Sequence, residues 1–142
     1  MKKQFVIDVA VILLLIMFLY ASFSKLFDFA AFQRAMHKQP FPHWFASLLT
    51  FLIPAIEIGV CIFLYREKTR KNGLWAAAVL MLLFTVYVAA ILLHLFKKVP
   101  CSCGGVISRL DWGEHLEFNV CFLLLAGIGL ILQYKVENKI GG

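Results

Sequence analysis

Apolar and polar positions alternate along this chain in long blocks. Four stretches, about residues 5–23, 44–65, 74–96 and 116–134, are almost wholly apolar, with charged residues gathered between them. Each is close to the ~20 residues that a helix needs to cross a bilayer. Each is expected to be helical, because unpaired backbone groups are too costly in hydrocarbon and such runs cannot close a barrel. No tandem repeat or low-complexity linker breaks the pattern. The expected architecture is therefore all-α: a single domain over 1–142, folded as a four-helix transmembrane bundle running up-down-up-down.

The polar segments set the expected orientation. Residues 66–73 join the second and third runs and carry Arg66, Lys68, Arg70 and Lys71. Lys and Arg packed into a short loop mark the cytoplasmic side. Lys2 and Lys3, and Lys135 and Lys139, then fall on that side, so both termini are expected in the cytoplasm. Lys25, Arg34, Lys38, Lys97, Lys98 and Arg109 lie on the other side, spread over longer segments. Trp44 and Trp112 border the outer face, and Tyr65, Trp75 and Tyr134 the inner, as interfacial aromatics do. Lys2-Lys3 before an apolar run also fits a signal peptide, but the run is long and no small-x-small site ends it, so a retained first helix is expected. Between the first two runs, Phe29, Phe32 and Met36 recur at helical spacing until Pro40 and Pro42, which predicts a short helix, either an interfacial one or a plain connection, the latter expected.

Composition agrees. The chain is 62% hydrophobic with mean hydropathy +0.86, more apolar surface than a soluble domain of 142 residues can hide. The net charge of +6 lies in loops and tails rather than along one helix face, so it reads as membrane topology and not as a nucleic-acid surface. The expected setting is a bacterial inner membrane, crossed several times and in contact with lipid.

Candidate chemistry centres on Val99-Pro100-Cys101-Ser102-Cys103-Gly104-Gly105, after the third run and so on the outer, oxidising side. Two thiols there become a disulfide, a redox pair or a metal site. A Cys-x-Cys disulfide closes a very small ring, and strained, exposed disulfides are the ones that exchange readily. As a purely structural staple it would remove almost no loop entropy. The same sulfurs with His94 or His115 could instead hold Cu(I) or zinc, but no second Cys pair completes a tetrahedral set, so no metal site is assigned. Cys121, near the outer end of the fourth run, is either a resolving thiol or a small buried residue; Cys61 lies far from the pair and is expected to be structural.

Ionisable groups within the runs are costly and therefore candidates for function. Glu57 is central in Pro54-Ala55-Ile56-Glu57-Ile58-Gly59, where Ala55 and Gly59 form a small-xxx-small contact pattern. It is either a proton-handling carboxyl or interhelix glue, with Lys25, Tyr87 or His94 as its expected partner. His94, His115 and Asn119 border the Cys segment at the outer ends of the last two runs, with His115 expected to be solvated. Imidazoles and Lys97, Lys98 and Arg109 near a thiol favour the attacking thiolate.

Together these residues resemble the MauE/DoxX-like family of redox-associated membrane proteins, most closely its methylamine-utilisation MauE branch. Ser24-Lys25-Leu26-x-Asp28 looks like that family's start of the outer loop, and Pro54-x-x-Glu57-Ile58-Gly59 like its second-helix signature. Cys101-x-Cys103-x-Gly105 is similar to its Cys-x-Cys-Phe-Gly loop, and Asn119 to its Arg-Asn at the last helix, with Gly104 replacing the usual Phe and Phe118 the usual Arg. The resemblance implies a helper in periplasmic disulfide formation or maturation, classically of methylamine dehydrogenase, working with a thioredoxin-like protein. Cys101 and Cys103 would then be the catalytic pair of a thiol–disulfide oxidoreductase, supported by Glu57, Lys25, His94, Asn119 and Cys121. A client protein or thioredoxin-like partner would exchange with them, and a quinone among the outer helix ends is a candidate electron acceptor. The rival readings are a non-catalytic subunit that scaffolds a membrane complex, and a Cu or Zn carrier.

Overall fold

A computed structural model describes residues 1–96 and 111–141. Five α-helices follow one another: α1 Lys2–Phe27, α2 Phe29–His37, α3 His43–Tyr65, α4 Arg70–Leu92 and α5 Trp112–Gly141, with a short 3₁₀ turn, Glu67–Thr69, leading into α4. Four stretches are long and apolar enough to cross a membrane: Lys2–Phe27, His43–Tyr65, Glu67–Leu92 and Trp112–Gly141. α1 packs on α3 and α5, and α4 packs on α3 and α5, so the four long helices form a ring in the order α1, α3, α4, α5.

Neighbours around the ring run antiparallel. At one end, Arg70 at the start of α4 meets Asp8 near the start of α1, Nη1 to Oδ1 at 3.0 Å. Lys71 meets Glu137 near the end of α5 at 2.7 Å, and the Trp75 indole N–H donates to the Tyr134 hydroxyl at 3.0 Å. Both ends of the described chain therefore share a face with the basic segment 66–73. The opposite face carries α2, the end of α4 and the start of α5.

The core holds Ile7, Leu14 and Phe18 from α1, Val60 and Leu64 from α3, Leu74 and Met81 from α4, and Ala126 and Leu130 from α5. The outward side is as apolar as the inside: Phe5, Ile12, Ile16, Phe51, Phe63, Leu83, Val86 and Leu124 are all exposed. In water such a surface would drive association. In hydrocarbon it is the solvated surface, and the bundle contacts lipid along its length.

The helices depart from the apolar runs at their ends. α5 has 30 residues and so is about 45 Å long, beyond the ~30 Å hydrocarbon core. Hydropathy marks only the apolar stretch, whereas the hydrogen-bonded helix continues past it at both ends. The third run stops early. α4 ends at Leu92, and residues 93–96, expected to be helical, lie beyond it. His94 sits in the left-handed region at φ 56°, its N–H donates to Ile91 O at 3.0 Å, and the Leu95 N–H donates to Ala90 O at 3.1 Å. This pair of bonds is a Schellman cap with histidine where glycine is usual.

The connecting helix forms as expected and packs against the bundle. α1 runs on to Phe27, and Asp28 then caps α2, its carboxylate accepting the Ala31 N–H at 3.1 Å. Phe32 and Met36 are buried, and Phe29 lies against Phe51 of α3 with ring centroids 5.2 Å apart. Inside α3, Pro54 leaves the Thr50 carbonyl without its helical donor, and the buried Thr50 hydroxyl turns back to Ala46 O at 2.8 Å. The expected Ala55–Gly59 contact face is not used within the bundle: Ala55 is exposed, and a Cβ on Gly59 would have nothing within 4 Å. Pro54, Glu57 and Val60 take the inward face, and this turns Ala55 toward lipid.

Among the described glycines the tightest surroundings are at Gly73, where a Cβ would lie 2.6 Å from Leu64 N and 2.8 Å from Phe63 C. Backbone atoms cannot swing aside as a side chain can. Gly73→Ala is expected to destabilise the bundle by about 1–3 kcal/mol through overpacking. Gly127→Ala, where a Cβ meets nothing within 4 Å, is expected to be neutral or to stabilise by roughly 0.5–1 kcal/mol through helix propensity. Unfolding of both variants in detergent checks the contrast, and equal effects would contradict this packing.

Candidate functional site

The most heavily buried charges are brought together by α1 and α3. Lys25 lies in the last turn of α1, and helical side chains lean toward the N-terminus, so its stem runs back along the helix into the bundle. There its ammonium donates to Ala21 O at 3.2 Å, Glu57 Oε1 at 2.9 Å and Glu57 Oε2 at 3.2 Å. An ammonium has three N–H donors, and all three are satisfied. Lys25 is 6% exposed and Glu57 1%. The Phe32 ring of α2 lies 5.8 Å from the ammonium, so α2 helps cover the pair. Of the partners expected for Glu57, Lys25 takes the position. The Tyr87 hydroxyl goes instead to Gln39 Oε1 at 2.6 Å, and His94 is exposed beyond the end of α4.

At the start of α5, Asp111 and Glu114 form a reciprocal cap. The Glu114 N–H donates to Asp111 Oδ1 at 2.8 Å, and the Asp111 N–H donates to Glu114 Oε2 at 3.1 Å. With the first turn held this way, His115 and Asn119 both face inward and both are buried. His115 is thus not solvated as expected; it packs beside Trp112, ring centroids 6.4 Å apart. The Asn119 amide nitrogen has no hydrogen-bond partner among the described residues. The Ser22 hydroxyl, one turn before Lys25 on α1, is likewise buried without one. Unpaired buried donors of this kind are uncommon in folded proteins.

Cys121 follows Asn119 by two residues, about 200° round the helix. It is exposed on the outer side of α5 and does not take the buried position that lone helix cysteines often occupy. Cys61 is buried in α3. Cys101 and Cys103 lie outside the described residues, as do Lys97, Lys98, Gly104, Gly105 and Arg109. The chain leaves the described structure after Phe96 and re-enters at Asp111, both on the face that carries α2. Among the described residues, no group of three or more His, Cys, Asp or Glu is placed to hold a metal ion.

Gln39 and the reciprocal cap were not singled out in the sequence. Asp111-x-x-Glu114 is a readable helix-start pattern. Gln39 sits among Pro40 and Pro42 with no periodicity to mark it as buried.

The Lys25–Glu57 pair makes a thermodynamic prediction. Lys25→Met or Glu57→Leu alone leaves one buried charge uncompensated and is expected to cost about 3–5 kcal/mol. The double variant Lys25→Met/Glu57→Leu is expected to recover most of that loss. A double-mutant cycle of unfolding in detergent checks this, and additive losses would show that the two charges are not coupled.

Comparison with known proteins adds one match. The profile of the family described as methylamine utilisation protein MauE aligns with residues 3–132. No curated protein and no solved structure matches the chain. The alignment spans all but the extreme ends and includes the C-terminal end of α1, the Pro54–Gly59 stretch and the Cys-Ser-Cys segment. The chain, a multi-pass membrane protein by its four apolar helices, belongs to the MauE family.

Proposed function

We propose that the protein is a thiol–disulfide component of a bacterial inner membrane, with Cys101 and Cys103 as its exchanging pair on the periplasmic side. Family membership links the chain to methylamine utilisation. The finer reading is that it serves maturation of a client such as methylamine dehydrogenase, through a thioredoxin-like partner. The observation that carries it is the Cys-Ser-Cys sequence between α4 and α5, whose described flanking residues, Phe96 and Asp111, lie on the face opposite the basic segment 66–73 and both ends of the described chain. By the distribution of Lys and Arg, that face is the outer one.

The chemistry is a two-electron exchange. A thiolate of the pair attacks a sulfur of the partner's disulfide, forming a mixed disulfide and releasing the partner's other sulfur as a thiolate. The second loop thiolate then attacks the loop sulfur of the mixed disulfide. The loop pair leaves oxidised, the partner leaves as a dithiol, and two protons pass from loop to partner. The reverse sequence oxidises the partner. Gly104 and Gly105 beside the pair favour close approach of another backbone. His115 and Asn119 at the start of α5 are the polar groups proposed to border it, and Lys25 with Glu57 to brace the helix ends beneath.

Cys101→Ser and Cys103→Ser separately are expected to leave one thiol able to begin exchange but unable to finish it. One of the two is expected to accumulate a mixed disulfide with a periplasmic protein, visible on non-reducing gels and lost with dithiothreitol. The double variant is expected to insert normally and to lose exchange to background. Unchanged client oxidation in the double variant would favour the scaffold reading instead.

A further inference from the structure

The hinge between α2 and α3 holds a feature that thiol exchange does not use. α2 ends at His37 and α3 begins at His43. The five residues between are held firmly. Buried Gln39 donates from Nε2 to Ala35 O at 3.2 Å and accepts the Tyr87 hydroxyl at 2.6 Å. Phe41 stacks on Tyr87 with centroids 5.6 Å apart and meets Phe45 edge-on at 5.4 Å. The Phe41 N–H closes the turn on Gln39 O at 2.8 Å. The two imidazoles are thereby brought within hydrogen-bonding distance, His37 Nδ1 to His43 Nδ1 at 3.2 Å, with ring planes tilted by 30° and centroids 5.3 Å apart.

Two nitrogens bound side by side to one tetrahedral or square-planar ion, each at about 2.0–2.1 Å, lie roughly 2.9–3.4 Å apart. The His37–His43 spacing falls within that range. Ser47, one turn into α3 from His43, has its hydroxyl 3.3 Å from His37 Nε2. An Nε2–H that donates to Ser47 Oγ leaves the lone pair of His37 on Nδ1, facing His43. Metal-bound histidines are commonly oriented in this way, through a hydrogen bond at the second ring nitrogen. His43 is exposed, so its proton can move from Nδ1 to Nε2 through solvent, freeing its own Nδ1 lone pair.

We propose that His37 and His43 form a two-histidine site for a borderline divalent transition metal, bound through both Nδ1 atoms, with Ser47 as a positioning residue. Imidazole ligands suit Cu(II) and Zn(II), and Cu(II) binds tightest in the divalent series. The remaining coordination positions open toward solvent at His43 and take water. The site is on the same face as the ends of the Cys-Ser-Cys segment but uses none of its atoms, so it stands or falls apart from the proposed exchange reaction.

The test uses the full chain in detergent, its thiols blocked with N-ethylmaleimide, and Cu(II) alone as probe. Calorimetric titration is expected to show one equivalent bound at micromolar or tighter affinity. The electron paramagnetic resonance spectrum is expected to carry hyperfine splitting from two nitrogens. His37→Ala and His43→Ala should each weaken binding at least tenfold and remove the two-nitrogen pattern, while His94→Ala changes neither. Ser47→Ala should weaken binding while keeping both nitrogens, because it loosens His37 without removing a ligand. His43 is exposed, so its variant tests the site even if His37→Ala perturbs the fold. Binding that survives both histidine variants, that depends on His94, or that is weaker than millimolar would overturn the proposal.

Discussion

An ammonium and a carboxylate taken out of water need each other, and among the described residues Lys25 and Glu57 meet that need deep in the bundle. The pair therefore ties the C-terminal end of α1 to the middle of α3. Ala21 O takes the third ammonium proton, so the arrangement has one geometry rather than several. Other features follow from it. With α1 held there, the chain turns at Asp28 and lays α2 over the pair, with Phe32 against the ammonium. α2 in turn delivers Gln39 and Phe41 to Tyr87 of α4. The end of α4, from which the Cys-Ser-Cys segment departs, is thus linked to the buried pair through a short chain of contacts. Such a pair adds little net stability compared with well-packed apolar residues.

The opposite face uses weaker, wetter interactions. Asp8 with Arg70 and Lys71 with Glu137 are partly exposed pairs, and the Trp75–Tyr134 hydrogen bond lies among them. Individually such surface pairs contribute little. Together they gather both ends of the described chain and the basic segment at one membrane surface. The protein is therefore polarised: basic and tied down on one face, and on the other a covered charge pair, inward-facing His115 and Asn119, and the ends of the cysteine segment.

Much of this was legible in the residues. Four crossings follow from run length, and the need of Glu57 for a partner from the cost of intramembrane charge, although the residues alone left Lys25, Tyr87 and His94 open and only the packing selects Lys25. Hydropathy failed where conformation or facing decided the outcome. Leu93, Leu95 and Phe96 are apolar, so the run continues through them, but a left-handed His94 ends the helix first. Ala55 and Gly59 have the spacing of a contact face, yet Pro54 and Glu57 claim the inward side. His115 looked like a solvated border residue; the Asp111–Glu114 cap turns it inward. Cys121 is buried or exposed according to its angle from Asn119, which spacing gives and residue type does not. The His37–His43 contact was hidden for a different reason: nothing in one sequence says that a proline-rich hinge will close on itself.

The proposed exchange requires that two cysteines be displayed on the oxidising side of the membrane. Labelling of intact cells with a membrane-impermeant maleimide, followed by permeabilisation and a second, permeant label, tests this directly. After reduction, Cys101 and Cys103 are predicted to take the first label before permeabilisation, while a cysteine introduced at Lys68 takes only the second. Labelling of Cys101 and Cys103 only after permeabilisation would contradict the account.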